Sequence, residues 1–118
     1  MKIITGLVGY NLAHYFWIKT ADERNNWSEL SNKTTAYSPA NLPGVPLQPF
    51  TNLSTYSITA NWLSNGNPSG TKYFVECSSV ATDFTSVVSA SGWITETSWI
   101  ATNLSANSSY YFQVKARN

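Results

Sequence analysis

The sequence TNLSANSSYYFQVKARN, at residues 102–118, is the most regular stretch of the chain. Leu104 stands six residues before Tyr110, and a short polar turn separates the two. From Tyr110 to Ala116 every second residue is apolar or aromatic, which is typical of a strand with one buried face. A leucine, a turn, a tyrosine and an alternating strand together indicate a strand that crosses between the two sheets of a β-sandwich.

Composition predicts one small all-β domain. A chain of 118 residues buries one modest core. Threonine, serine, valine and aromatic residues are abundant, and they favour strands over helices. The sequence has seven basic and six acidic residues, so it lacks the concentrated positive field that attracts nucleic acids. No apolar run in the sequence is long enough to cross a bilayer, so we expect no membrane insertion.

The pattern of residues 102–118 occurs a second time at residues 5–22. The matching pairs are Thr5 with Thr102, Leu7 with Leu104, Tyr15 with Tyr111, Phe16 with Phe112, and Lys19 with Lys115. One extra residue lies in the turn of the first copy. The same strand is therefore expected near each end of the chain, as in an internal repeat.

The segments between the two copies read as strands and turns. The turn DERNN follows the first copy, and a strand at residues 30–37 completes a hairpin with it. Residues 38–45, SPANLPGV, read as a linker. Pro46 and Pro49 then place the next strand at a sheet edge, because proline donates no ladder hydrogen bond. Further strands are predicted at 57–62, 71–79, 83–91 (ended by Gly92), 97–102 and 110–117.

Residues 46–118 resemble a fibronectin type III domain. Trp62 closes the second strand, Tyr73 and Val75 alternate in the third, and Leu104 precedes Tyr110 by six residues. The segment NPSGTKYFVECSS, with SGW further on, is similar to tandem repeats of secreted bacterial proteins. The resemblance implies an immunoglobulin-like sandwich of two antiparallel sheets, with the Tyr110 hydroxyl bonded to the chain upstream. The implied core consists of Trp62, Tyr73, Val75, Leu104, Tyr110, Phe112 and Val114.

The resemblance also implies a division of the chain. Residues 1–37 look like the last two strands, of F and G type, of a preceding repeat, and they form an extra N-terminal hairpin. Residues 46–118 resemble a domain without its last strand. Strand 110–117 then has an open edge, so we expect residues 30–37 to pair there, within one chain or as a strand-swapped dimer.

The inventory of reactive residues predicts no catalysis, no metal and no cofactor. His14 and Cys77 are the single histidine and the single cysteine of the sequence, so a zinc site lacks ligands. No serine stands in a nucleophile-elbow context, and no glycine-rich phosphate loop occurs. We expect His14 to be a satisfied turn residue and Cys77 to be a buried apolar one.

Two groups of residues are candidates for recognition. Alternation points Tyr15, Trp17, Phe74 and Tyr111 outward, where they would form one aromatic patch or pack against a neighbouring repeat or the extra hairpin. The turn with Asp22, Glu23 and Arg24 corresponds to a recognition loop of the family, and its alternative role is that of a solvated turn.

The function predicted from the resemblance is that of a non-catalytic extracellular module, secreted or at the cell surface, in protein–protein interaction or adhesion. The alternative is a passive spacer between catalytic or carbohydrate-binding modules of a larger secreted protein. The expected partners are neighbouring fibronectin type III repeats and a protein or glycan ligand. The ligand itself cannot be predicted, since this sandwich carries many unrelated functions.

Overall fold

The computed structural model describes residues 3, 5, 9–81 and 84–118. Two residues of the predictions above, Leu7 and Asp83, lie outside that part of the chain. The chain divides into two compact units, Met1–Pro39 and Ala40–Asn118. The described residues form strands and turns without any helix, and hence contain none that could cross a membrane.

The first unit is an antiparallel hairpin of two strands, β1 (Ala13–Phe16) and β2 (Thr34–Tyr37). Five positions separate Phe16 from Ala21 on one arm, but seven separate Thr34 from Trp27 on the other. Two extra residues therefore bulge out of the second arm. This is why β2 begins later than the strand predicted at residues 30–37.

Serine side chains accept hydrogen bonds from backbone N–H groups of the hairpin where its register shifts. The backbone N–H of Ile18 donates to Ser31 Oγ at 3.0 Å, and that of Thr20 donates to Ser28 Oγ at 3.1 Å. Each hydroxyl in turn donates to the carbonyl of the next residue, Asn32 or Glu29. The extra residues are accommodated without leaving these cross-strand donors unpaired.

The second unit is a sandwich of two three-stranded antiparallel sheets, ordered β3-β4-β7 and β6-β5-β8. Its strands are β3 (Phe50–Thr51), β4 (Ile58–Asn61), β5 (Lys72–Ser78), β6 (Val87–Ile94), β7 (Ser98–Ala101) and β8 (Tyr111–Arg117). The prediction of an all-β sandwich is confirmed. The strand after Pro49 lies at a sheet edge, as predicted, and it is only two residues long.

The inner faces of the two sheets form the core. Trp62, Tyr73 and Val75 make one buried cluster, in which the rings of Trp62 and Tyr73 lie 5.7 Å apart. Cys77 and Leu104, together with Ala101, make a second cluster. Phe112 packs against both clusters, Val114 against the first and Tyr110 against the second. Burial raises the pKa of the Cys77 thiol to about 11, so this cysteine is an apolar packing residue.

The turn before β8 is closed by the tyrosine hydroxyl. The backbone N–H of Ser105 donates a hydrogen bond of 2.7 Å to Tyr110 Oη. Just before it, the N–H of Leu104 donates to the carbonyl of Tyr56 at 3.0 Å. The bond from the Tyr110 hydroxyl to the upstream chain, which the resemblance implied, is thereby confirmed.

Strand β6 does not end at Gly92, so that prediction is wrong. Ser91 and Gly92 together face the single residue Val75, which makes a β-bulge inside the strand. Gly92 has a φ of +69°, a conformation that glycine adopts without a steric penalty. Ser91 Oγ accepts the Val75 N–H at 2.9 Å and donates to the Gly92 carbonyl at 2.7 Å. The glycine bends the strand, and the strand then continues through Trp93.

In the described sheets β2 pairs with β1, which confirms the predicted hairpin, and β8 pairs with β5. The pairing of residues 30–37 with strand 110–117 stays a prediction. One further prediction is wrong. His14 is not a turn residue but lies in β1 opposite Ala36, and its Nε2 has no hydrogen-bond partner among the described residues.

Candidate functional site

The outer face of the sheet β6-β5-β8 collects cations and aromatic rings. Because Tyr73 and Val75 point into the core, the alternating residues Lys72 and Phe74 of β5 point outward. The register then sets Lys115 and Trp93 on either side of Phe74 and sets Arg117 beside Lys72. We call this set the basic aromatic face: Lys72, Phe74, Trp93, Lys115 and Arg117.

Two cations of the basic aromatic face are stacked on two rings. The ring centroids of Phe74 and Trp93 lie 5.3 Å apart at an interplanar angle of 59°. Lys115 Nζ lies 4.6 Å from the centroid of the Phe74 ring, and Arg117 Cζ lies 4.0 Å from that of Trp93. Each distance is within the range of a cation–π interaction. The two long side chains are therefore held in place above the sheet.

Glu76 fixes one side of this face. Gln113 Nε2 donates a hydrogen bond of 2.6 Å to Glu76 Oε2, and Lys115 Nζ lies 3.8 Å from the same oxygen. The Glu76 side chain is 19% exposed and that of Lys115 is 56% exposed. The ammonium group is thus positioned between a carboxylate and a ring, with more than half of the side chain still open to solvent.

The charge of the second unit is unevenly distributed. Residues 40–118 contain three basic side chains, and all three belong to the basic aromatic face. The described acids of this unit are Glu76, on the same face, and Glu96, in the turn between β6 and β7. Cations therefore outnumber the described acids on this face, and an acidic partner would be attracted to it.

The residues of the predicted aromatic patch do not lie together in the structure. Phe74 contacts Trp93, whereas Tyr111 lies opposite Ser78, four residues further along β5. At 3.3 Å per residue this separates Phe74 from Tyr111 by about 13 Å along the strand. Tyr15 and Trp17 belong to the first unit, where they are 51% and 52% exposed.

The turn of the first unit is organised by its aspartate. Asp22 Oδ1 accepts the backbone N–H groups of Arg24 and Asn26 at 2.8 and 3.0 Å. Asp22 Oδ2 accepts the side-chain amide of Asn26 at 2.8 Å. These bonds, the Asn26 amide first, hold the pKa of the Asp22 carboxyl below its ordinary value of 3.8. Asp22 thus closes the turn, while Glu23 and Arg24 are exposed on it.

Removing this carboxylate is expected to loosen the turn. In Asp22→Ala the N–H groups of Arg24 and Asn26 lose their acceptor, so their hydrogen exchange should accelerate, as measured by NMR. Because the folded pKa is depressed, the carboxylate stabilises the turn above about pH 4 and loses this effect as the pH falls through the folded value. Glu23→Ala is the control, since Glu23 accepts none of these bonds. Equal exchange in both variants would contradict the role of Asp22.

Four residues of the basic aromatic face were missed as site residues: Lys72, Trp93, Lys115 and Arg117. Arg117 follows Lys115 by two positions, so the alternation of β8 places both on one face. Trp93 comes directly after Gly92, the residue at which the strand was predicted to end. The available signal was the triplet SGW at residues 91–93, in which serine and glycine form the bulge and tryptophan resumes the strand.

The arrangement offers binding chemistry. Within the described ranges, no cluster of three or more histidine, cysteine, aspartate or glutamate side chains is placed to hold a metal ion. Among the described acids, Glu76 borders the basic aromatic face, where it contacts Gln113 and Lys115. Stacked rings, cations and a carboxylate on one face of a sheet are suited to contact with another macromolecule.

Comparison with known proteins identifies the fold. Residues 46–118 match the family model described as "Fibronectin type III domain". A solved structure that resembles the chain is the crystal structure of chicken CNTN1 FN1-FN3 domains, with a TM-score of 0.52 and 19% sequence identity. The match covers 94% of this chain and 37% of that one, so the chain spans little more than a third of it. The comparison with curated proteins gives no match.

Proposed function

We propose, since the chain belongs to the fibronectin type III family, that it is a non-catalytic module that binds a protein partner through the basic aromatic face. The module acts outside the cell, in adhesion or in assembly within a secreted or cell-surface protein, with neighbouring domains of its own kind. The observation that carries the proposal is the collection of every basic residue of the second unit on one face of one sheet.

The stacking makes this face suited to recognition. Tryptophan and arginine dominate the energetically important positions of protein interfaces, and Trp93 and Arg117 form one stacked pair here. A long side chain loses conformational freedom when a partner immobilises it. Lys115 and Arg117 are already held by rings, so much of that entropy is lost before binding. The preferred partner is a protein surface with exposed carboxylates.

The proposal is tested by binding to a panel of purified extracellular protein domains, measured by biolayer interferometry with the chain immobilised. The double variant Lys115→Glu with Arg117→Glu is expected to weaken binding to any hit by about tenfold or more. Binding of the parent chain should also weaken when salt is raised, because exposed charges are screened.

A matched control exists in the first unit. Lys33 Nζ lies 4.6 Å from the centroid of the Tyr15 ring, the same separation as in the pair of Lys115 and Phe74. Lys33→Glu therefore reverses the charge of an equally stacked cation that does not belong to the proposed site, and it should leave binding unchanged. Equal loss in both variants would indicate nonspecific charge attraction.

Two other outcomes would overturn the proposal. Binding to a neutral glycan on an array, with no protein hit, would assign the face to carbohydrate recognition. If no protein domain and no glycan binds, and the double variant is as stable as the parent, the module acts as a passive spacer.

A further inference from the structure

Strand β6 is an edge of the sheet that carries the basic aromatic face. It pairs with β5 on one side, and in the described sheets no strand lies on its other side. β6 stands between β5 and β7 in chain order, so this edge is far from either end of the sequence. A strand edge presents backbone N–H and C=O groups to an incoming strand.

The edge lacks the charges that usually protect an edge strand. β6 is the longest described strand, and its sequence, VVSASGWI, contains no charged residue and no proline. Natural edge strands are commonly protected by lysine, by proline or by bulges. β6 has two bulges, one with Val88 as the extra residue and one at Ser91 and Gly92. They bend the strand, so an incoming strand is expected to pair over a short stretch only.

The cations of β8 reach across the sheet toward this edge. β8 and β6 lie on opposite sides of β5, so about two strand spacings, or roughly 10 Å, separate them. Arg117 belongs to β8, yet its Cζ lies 4.0 Å from the ring centroid of Trp93 on β6. Lys115 extends in the same direction, over Phe74 on β5. The guanidinium group of Arg117 is therefore held above the edge strand.

The Arg117 guanidinium is available to a carboxylate. Lys115 is paired with Glu76, whereas Arg117 takes part in no ion pair among the described residues. Side chains of an added strand would lie about 4.8 Å from those of β6, within reach of the stacked guanidinium. Arginine binds carboxylates through two parallel hydrogen bonds, which fixes orientation as well as charge. An aspartate or glutamate beside Trp93 would therefore be favoured.

Because the proposed function assigns protein binding to this face, the following rests on it. We infer that an extended acidic segment of the partner protein adds as a fourth strand along the free edge of β6, with a carboxylate beside Trp93 that pairs with Arg117. Main-chain hydrogen bonds supply affinity in this binding mode, and alternate side chains supply selectivity. One short strand buries less than a standard interface, so the dissociation constant is expected between about 10 µM and 1 mM.

A synthetic peptide of about ten residues, the length of a long strand, tests the inference. Glutamate alternates with valine and threonine in it, so that one face is acidic and the residues of the other favour a strand. The peptide is titrated into the isotope-labelled full chain and followed by NMR. The indole N–H resonance of Trp93 should shift, that of Trp62 in the core should not, and the amides of β6 should exchange more slowly. The same peptide with lysine in place of glutamate should not bind.

Methylation of the peptide backbone separates strand addition from charge attraction. Two versions are compared, one N-methylated at the glutamates and the other at the valines and threonines, and both keep every charge. In an added strand only every second residue directs its N–H and C=O groups at the neighbouring strand. One version should therefore lose affinity by about tenfold or more, and the other should bind like the parent peptide.

Arg117→Gln tests the carboxylate contact, because it removes the guanidinium charge and keeps a long side chain. Affinity for the acidic peptide should fall by about tenfold. Lys33→Gln is the matched control, since Lys33 is also a stacked cation, on the Tyr15 ring of the first unit, and lies away from β6. Its affinity should equal that of the parent chain.

Four results would overturn the inference: no binding of the acidic peptide up to about 3 mM, equal binding of the lysine peptide, equal binding of the two N-methylated versions, or an unchanged affinity in Arg117→Gln. The proposed function is decided separately, by the panel of protein domains. A protein hit that the double variant Lys115→Glu with Arg117→Glu loses would support protein binding by this face even if strand addition is rejected.

Discussion

Replacement of Trp62 by alanine is expected to lower the free energy of unfolding of the second unit by about 3–5 kcal/mol. The side chain is 5% exposed and packs on Tyr73 and Val75 at the centre of the first core cluster. The change removes a large apolar surface and leaves a cavity. Small domains have total stabilities of only about 5–15 kcal/mol, so the variant is expected to be partly unfolded at room temperature.

Urea denaturation followed by circular dichroism measures this effect. The control is Trp27→Ala, the same chemical change at a side chain in the first unit that is 64% exposed. The midpoint of the second unit should not move in the control. Trp62→Phe should cost less than its lost volume suggests, since it also removes the unpaired indole N–H. A Trp62→Ala variant that unfolds together with the parent would place this ring outside the core.

The sandwich was predictable because apolar and polar residues alternate strictly at the core positions of its strands. Tyr73 and Val75 in β5 are spaced by two, and the structure places both in the core. The period of two leaves one choice of inner face, since a slip by one residue would expose the whole apolar set. The turn before β8 was predictable for another reason: the N–H of Ser105, next to Leu104, donates a hydrogen bond to the Tyr110 hydroxyl at a fixed spacing.

The basic aromatic face was only half predictable. Alternation predicted that Phe74 points outward, but alternation within a strand does not say which side chains of the neighbouring strands it contacts. Register decides that, and the register of β6 depends on a bulge at Ser91 and Gly92. In a serine-rich sequence, the serine whose hydroxyl accepts a cross-strand N–H cannot be distinguished from an ordinary exposed one.

The pairing of residues 30–37 with the first copy of the repeat was predicted, and the structure confirms it. Their sequence suits a strand of the β8 pattern, and that pattern occurs twice in the chain. β1 is the nearer copy along the chain, so the loop closed by pairing with it is short and its entropic cost is low. The strand pattern indicated which kind of strand residues 30–37 pair with, and the short connection along the chain selected the nearer copy, β1.

Leu104→Ala is expected to destabilise the second unit by about 2–5 kcal/mol. Leu104 is 5% exposed, and it packs with Cys77 and Ala101 in the second core cluster. Its side chain also anchors the turn that the Tyr110 hydroxyl closes through the neighbouring N–H of Ser105. Truncation therefore leaves a cavity and also frees the start of β8.

The matched control for this prediction is Leu47→Ala, the same change at a fully exposed side chain, for which a shift within about 0.5 kcal/mol is expected. Tyr110→Phe separates the two contributions, because it removes the acceptor for Ser105 and keeps the ring; about 1 kcal/mol is expected for it. Packing and turn closure share one short segment, so the double variant should lose less than the sum of the single losses. Strict additivity would mean that Leu104 stabilises the core without positioning the tyrosine, and the turn would then owe its geometry to the Tyr110 hydrogen bond alone.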